Sequence, residues 1–309
     1  MRSAMPYHVA FQPAAQINPA EWDQWLKAQD CMSFQQYFAY GLAVNRSVYA
    51  GKDKATYCTI TNDQCDGVAQ GVLFQSRIGP LLIGFMPAGL CLRPDVAASE
   101  IYAALWHAFR RRWRSALIFG AYAQDIADKP VYADGASALW GFTDGGVGPN
   151  RQKWRNRLTK AKGAGLRLRK NGANSKEGRW LAAQEDAQRK RLGYKALPLD
   201  LPLHMHQASG SAQCFVVVAY DGETPVAGGQ FLWAAPYGHY ISGVSTALGR
   251  RLSAQHLVLQ AAAETLHSKG AKGLHLGQID TDVAPGLARF KLGTGAVPIE
   301  NPATFVRLG

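Results

Sequence analysis

The sequence predicts an α/β (α+β) protein made of two similar halves, each a mixed, largely antiparallel sheet flanked by helices. Three observations carry this expectation. Two β-branched runs, Cys214–Tyr220 and Pro225–Trp233, are joined by Asp221-Gly222, a hairpin signal. An apolar stripe at helical spacing follows, formed by Leu257, Leu259, Ala261, Ala262 and Leu266, and then the short apolar run Leu274–Leu276. The same succession of paired strands, helix and strand precedes it in the first half.

In chain order, Pro19–Ala28 is a predicted helix that Asn18 caps and Glu21 supports in its first turn. Ser33–Val44 carries Phe34, Tyr37, Phe38 and Leu42 at helical spacing, the pattern of a core-facing stripe. Ala55–Thr61 and Gly67–Gln75 are predicted strands around the polar turn Asn62–Asp66, with the shorter run Pro80–Ile83 beyond them. Ser99–Trp113 is a predicted helix with Ile101, Leu105 and Phe109 on one face. Arg110, Arg111, Arg112 and Arg114 crowd its C-terminal end, where they complement the helix dipole. Ala116–Tyr122 is the next strand. A glycine-rich loop, Phe142–Asn150, then sets the expected boundary between domains 1–149 and 150–309.

Beyond that loop comes a basic run without an acid: Arg151, Lys153, Arg155, Arg157, Lys160, Lys162, Arg167, Arg169 and Lys170. As a helix, Gln152–Lys162 places Lys153, Arg157 and Lys160 on one face and Trp154 and Leu158 on another. Like charges at this spacing destabilise an isolated helix, so Lys153, Arg155, Arg157 and Lys160 are candidate contacts for a polyanion such as tRNA, or else a solvated face. Arg179–Tyr194 is a further predicted helix, with Arg189, Lys190 and Arg191 at its end. In the second half His239–Val244 is a third strand. Ser253–Ser268 is the long helix, with Ser253 as N-cap and Gly270 just past its end.

Composition bounds the function classes. The chain has 309 residues, 47% hydrophobic and 18% charged, which suits two globular domains. The net charge of +12 fits an anionic partner or plain solubility. Cys31, Cys58, Cys65, Cys91 and Cys214 are odd in number and unclustered, an arrangement expected of reduced thiols in the cytoplasm. His204 and His206 lack a nearby cysteine or carboxylate cluster, so no metal site is expected. No apolar run reaches the roughly 18 residues of a membrane span, and no signal peptide is evident, so a cytoplasmic protein is expected.

Four segments in order, Lys153–Leu166, Ala187–Tyr194, Gly228–Ser245 and Gly286–Gly295, resemble the FemABX-like aminoacyltransferases of the GNAT superfamily. These proteins carry amino acids from aminoacyl-tRNA onto peptidoglycan precursors. The resemblance implies two tandem GNAT-like domains, aminoacyl-tRNA and an amine acceptor as partners, and no resident cofactor. It also implies that Lys291 is the catalytic ammonium, that Phe290 shapes its pocket and that Tyr240 orients the acceptor amine. Arg189, Arg191, Tyr194 and Arg289 would bind the acceptor. The family's early basic residue has no match here, Tyr40 and Val44 standing nearest its place, and the general base is unassigned, with His275 where the family often has an acid.

Two alternatives stand beside this reading. One is an acyl-CoA-dependent N-acyltransferase, although Ala254 and His256 occupy the two glycine places of the pyrophosphate-binding pattern read from Arg251. The other is a non-catalytic RNA-binding protein, supported by the basic run.

Overall fold

The computed structural model describes residues 7–79, 81–113, 115–122, 126, 129–132, 135–148, 150–194, 196–208 and 212–308. Pro80, Arg114 and Pro149, used above, lie outside the described residues. The chain divides into two compact units, 1–135 together with 300–309, and 136–299.

The first unit begins with β1 (Tyr7–Gln12) and α1 (Pro19–Ala28), where the Asn18 side chain accepts from the backbone N–H groups of Ala20 and Glu21 as expected of an N-cap. The aromatic segment after it is not one helix. Ser33 caps a short 3-10 turn, Phe34–Gln36, and Tyr37 is extended; α2 (Phe38–Ser47) starts only after that break, its first N–H donating to Asp23. Then come β2 (Ala55–Asn62), β3 (Gly67–Ile78), β4 (Leu81–Met86), β5 (Cys91–Leu92), α3 (Ala98–Trp113) and β6 (Ala116–Ala121). Strands β1 to β4 are antiparallel neighbours, and α3 carries the chain over to β6, which lies parallel to β4. Ile101, Leu105 and Phe109 of α3 are fully buried against Leu117 and Phe119. The Tyr102 hydroxyl donates to the Gly120 carbonyl at 3.0 Å, satisfying a polar group inside that core.

The second unit opens with β7 (Ala136–Thr143) and β8 (Gly146–Val147), followed by α4 (Gln152–Gly163), β9 (Arg167–Gly172), α5 (Lys176–Leu192) and α6 (Leu201–Ala208). Three long strands come next, β10 (Ala212–Asp221), β11 (Thr224–Ala234) and β12 (Tyr237–Ser245), joined antiparallel in sequence order. A short α7 (Ala247–Arg251) leads into α8 (Ala254–Ser268), which crosses to β13 (Gly273–Ile279), parallel to β12. Then follow α9 (Pro285–Gly293) and β14 (Val297–Glu300). Last is β15 (Ala303–Arg307), which pairs with β6 of the first unit. Both sheets are thus largely antiparallel with one parallel crossover, and the two units share the tandem GNAT-like plan that the sequence predicts.

The division between units differs from the expected 149/150 boundary. Strand β7 lies between β14 and β13 in the second sheet, so the glycine-rich loop falls inside that unit, and the return of β15 gives residues 300–309 to the first. Ser253 also differs from expectation. It is buried at φ 59 and its side chain makes no capping bond, because α7 occupies the preceding residues and the chain must turn sharply into α8. Helix α8 packs Val258, Leu259, Ala262, Ala263 and Leu266 on the sheet, and Leu266 comes so close to Gly238 that a Cβ there would lie 2.5 Å from it.

Candidate active site at the parting of two strands

Strands β12 and β13 pair only over Tyr237–His239 and Gly273–His275. Past that point they separate, and β13 bulges before it resumes pairing with β7 at Gln278. Gly277, at φ +77, supplies the backbone conformation the bulge needs. The bulge turns the Gln278 carbonyl toward α9, where Lys291 Nζ donates to it at 2.7 Å.

Lys291 is 7% exposed, and burial brings its ammonium down to about pH 8. One of its three N–H groups is used by Gln278; the other two make no hydrogen bond among the described residues. His275 lies beside it. Burial, and secondarily the Lys291 charge, lower that imidazole to about 4. The Gly277 N–H donates to His275 Nδ1 at 3.2 Å, so the neutral ring carries its proton on Nε2. The His239 ring is 5.7 Å from that of His275 and is also held neutral, by burial first and by His275 second. An ammonium beside a neutral imidazole can stabilise charge that develops on a nearby oxygen.

Tyr240, the next residue on β12, stacks on Phe231 with 5.4 Å between ring centroids, and its hydroxyl accepts from Gln255 Nε2 at 3.1 Å. Burial pushes that hydroxyl up, so it stays protonated. Tyr240 and Lys291 make no hydrogen bond to each other; Gln255 holds one and Gln278 the other. Phe290 is half-buried, 5.0 Å from the His256 ring and 6.4 Å from Trp154. Arg289 is exposed and donates back to the Pro285 carbonyl, on the side of α9 away from Lys291, since two helical residues are about 200° apart.

The candidate acceptor-binding side chains on α5 separate in the same way. Arg189 Nε donates to the buried Glu185 carboxylate at 3.1 Å and its Nη1 to the Leu197 carbonyl; the Tyr194 hydroxyl also donates to Glu185, at 2.9 Å. This triad satisfies a buried acid. Arg191 is exposed and makes no hydrogen bond or ion pair among the described residues.

In the basic run, Trp154, Leu158 and Ala161 of α4 are buried, while Lys153, Arg157 and Lys160 are exposed without an ion pair or hydrogen bond among the described residues. Arg155 is tied down by the Asn150 carbonyl and Gln152. Farther along, Arg167 pairs with Glu223, and Arg169 with Glu177 while lying over the Tyr220 ring. Within the basic run, Lys153, Arg157 and Lys160 of α4 thus carry exposed, unpaired charge among the described residues.

The α8 N-terminus is occupied by the chain's own groups. Ala254 is fully buried, the Ser253 N–H donates to the Arg250 carbonyl, and the His256 ring fills the space beside Trp154 and Phe290. Among the described residues, no cluster of His, Cys, Asp and Glu is placed to hold a metal ion, and no helix is long and apolar enough to cross a membrane. The sequence did not reveal Gln278, Gln255 or Glu185. The one signal available was the isolated Gly277 beyond an apolar strand, a mark of a bulge.

No protein-family model and no curated protein matches this chain. Solved structures do. FemX is 12% identical with a TM-score of 0.75, the match covering 98% of this chain and 97% of FemX. The chain has the fold of FemX. A tandem GNAT protein from the clavulanic acid biosynthesis pathway is 13% identical with a TM-score of 0.54, covering 97% of this chain and 98% of that one. Saccharomyces cerevisiae N-myristoyltransferase with bound myristoyl-CoA is 11% identical with a TM-score of 0.54, covering 99% and 82%. The FemX-like fold gives the strand parting and α9 their setting: both belong to the second of two GNAT-like units.

Proposed function

We propose that this chain is an acyltransferase that moves an aminoacyl group from aminoacyl-tRNA to an amine, forming an amide on a peptidoglycan precursor or a small metabolite. The observation that carries the reading is Lys291, a buried ammonium fixed by the Gln278 carbonyl where β12 and β13 part. In the reaction the acceptor amine attacks the ester carbonyl, negative charge gathers on the carbonyl oxygen, and the remaining N–H groups of Lys291 stabilise it. The C–O bond to the ribose then breaks, and the leaving oxygen takes up a proton as the amine loses one. His275 at about 4 is too weak a base to keep that proton near neutral pH, so an amine that arrives unprotonated passes its proton on to the leaving ribose oxygen.

The donor assignment is supported by the filled α8 N-terminus, which disfavours CoA, and by the unpaired cations of α4, which suit a phosphate backbone. The test is to offer radiolabelled aminoacyl-tRNAs with candidate amine acceptors. Amide formation that depends on Lys291 is expected; turnover of acyl-CoA with no tRNA-dependent transfer would sink the proposal.

A further inference from the structure

A cavity in this unit lies on strands β10, β11 and β12 beneath α5 and α6. Its volume is 390 Å³, near the lower end of the ~300–1,000 Å³ typical of ligand pockets. Its walls are Leu181 and Ala182 of α5, Leu203 of α6, Leu199 and Val216. Two buried polar side chains lie among them, Gln230 of β11 and Ser242 of β12, which are cross-strand neighbours, and the exposed Asn174, Arg179 and Asp200 complete the lining. The Gln230 amide is oriented by the Leu199 carbonyl and Cys214 Sγ. Ser242 is 7% exposed, and its hydroxyl has no hydrogen-bond partner among the described residues. A buried hydroxyl without a partner is unfavourable in the empty site and becomes satisfied when a ligand brings a donor or acceptor to it.

Charge at this site is confined to the exposed part of the lining, Arg179 of α5 and Asp200. Asp200 pairs with His204, and Arg179 Nη1 donates to the Asn174 carbonyl. The buried part of the wall, Leu181, Val216, Gln230 and Ser242, carries neither sign, so a charged group that reaches it would lose its hydration without compensation. Ser242 is three residues along β12 from His239, about 10 Å at the rise of a strand.

We propose that this pocket binds an uncharged aliphatic or aromatic amino-acid side chain and that Ser242 hydrogen-bonds a polar atom of the residue carrying it. That the residue belongs to the transfer reaction rests on the function proposed above; the binding itself does not. The residue can come from either substrate, as the aminoacyl group of the donor or as part of a peptide acceptor.

The experiment uses the full chain and reads binding by NMR line broadening and backbone shifts at Val216, Gln230 and Ser242. The probes are N-acetyl-leucinamide and N-acetyl-phenylalaninamide as peptide mimics, 3′-leucylamino-3′-deoxyadenosine as a donor-end mimic, and N-acetyl-lysinamide as the charged comparison. The expected result is that at least one neutral-side-chain probe binds about tenfold or more tightly than the lysine amide. Leu203→Trp, which fills the cavity from α6, is expected to abolish this binding, and Ser242→Ala, which keeps the space, to weaken it about tenfold. Lys291→Ala is expected to bind as the wild type does, so a loss of transfer activity cannot be mistaken for failure of the pocket. Shifts from the adenosine probe assign the pocket to the donor, and shifts from the acetyl amides alone assign it to the acceptor. If no probe shifts these residues, if the lysine amide binds equally well, or if a folded Leu203→Trp variant binds normally, the proposal is overturned.

Discussion

Lys291 Nζ lies 2.7 Å from the carbonyl oxygen of Gln278, and this bond joins α9 to the bulge of β13. A flexible side chain is thereby held in one place, and the carbonyl dipole partly offsets the burial of a charge. Burial still dominates, because the ammonium falls from its ordinary value to about 8. A group kept in an unfavourable setting when an apolar side chain would pack there is better explained by chemistry than by stability.

Lys291→Met should separate the two. The ammonium costs the folded state on the order of 3 kcal/mol, from its lowered proton affinity. The methionine variant is therefore expected to unfold at equal or higher denaturant concentration than the wild type at pH 7, while transfer falls by about a hundredfold or more. Chemical denaturation and a transfer assay on the same preparation check this. A variant that is both fully active and stable would remove Lys291 from the reaction.

The pH dependence follows with opposite signs for activity and stability. The charged form prevails below about 8, so transfer is expected to decline as pH rises through that value. Stability runs the other way. The unfolded lysine keeps its proton up to its ordinary value, so this group's penalty is full below about 8 and is relieved as pH rises beyond it. Rate profiles and denaturation midpoints at a series of pH values report both trends, and Lys291→Met should lack the stability trend.

Glu185 is expected to matter to the fold and Arg191 not. Glu185→Ala leaves Arg189 and Tyr194 without their shared acceptor and should cost about 2–4 kcal/mol. Arg191→Ala, exposed and unpaired among the described residues, should change stability by less than about 0.5 kcal/mol. If Arg191 binds the acceptor, its loss appears in KM for the acceptor alone, which steady-state kinetics measures.

Regular elements were legible in the sequence because periodicity records which face is buried. The stripe Leu259, Ala262, Leu266 of α8 and the Asp221-Gly222 hairpin both lie where that pattern puts them. Strand β7 was not legible, because Ala136–Thr143 acquires its partners β13 and β14 from residues more than a hundred positions later. The same holds within the site. Lys291 came from a resemblance, whereas its partner is a backbone carbonyl, which leaves no trace in side-chain identity. Arg189 and Arg191 look equivalent in sequence, and only the fold gives one of them a buried acid.

The α4 cations should control polyanion affinity without controlling the fold. Lys153→Ala, Arg157→Ala and Lys160→Ala combined remove three exposed charges and no buried contact. If all three meet phosphates, the slope of log affinity for tRNA against log salt should become shallower by about 2, while the melting temperature stays near that of the wild type. Titrations at several salt concentrations measure the slope. Replacing Arg167 and Arg169 should change it less, since both are engaged by acids.

Gly277 gives the most direct test of whether geometry at the strand parting sets the chemistry. Its φ of +77 is unfavourable for a residue with a side chain, and a Cβ there would lie 3.6 Å from Lys291 Nζ, an ordinary contact distance. Gly277→Ala is therefore expected to cost about 1–2 kcal/mol through backbone strain rather than through a clash. If the backbone relaxes to relieve that strain, the bulge shifts, the Gln278 carbonyl leaves the ammonium, and transfer falls more than stability does. If it holds its conformation, stability falls and the rate constant per folded molecule is retained. Comparing kcat with the fraction folded distinguishes the two outcomes, and the first would show that the bulge positions Lys291 for the reaction.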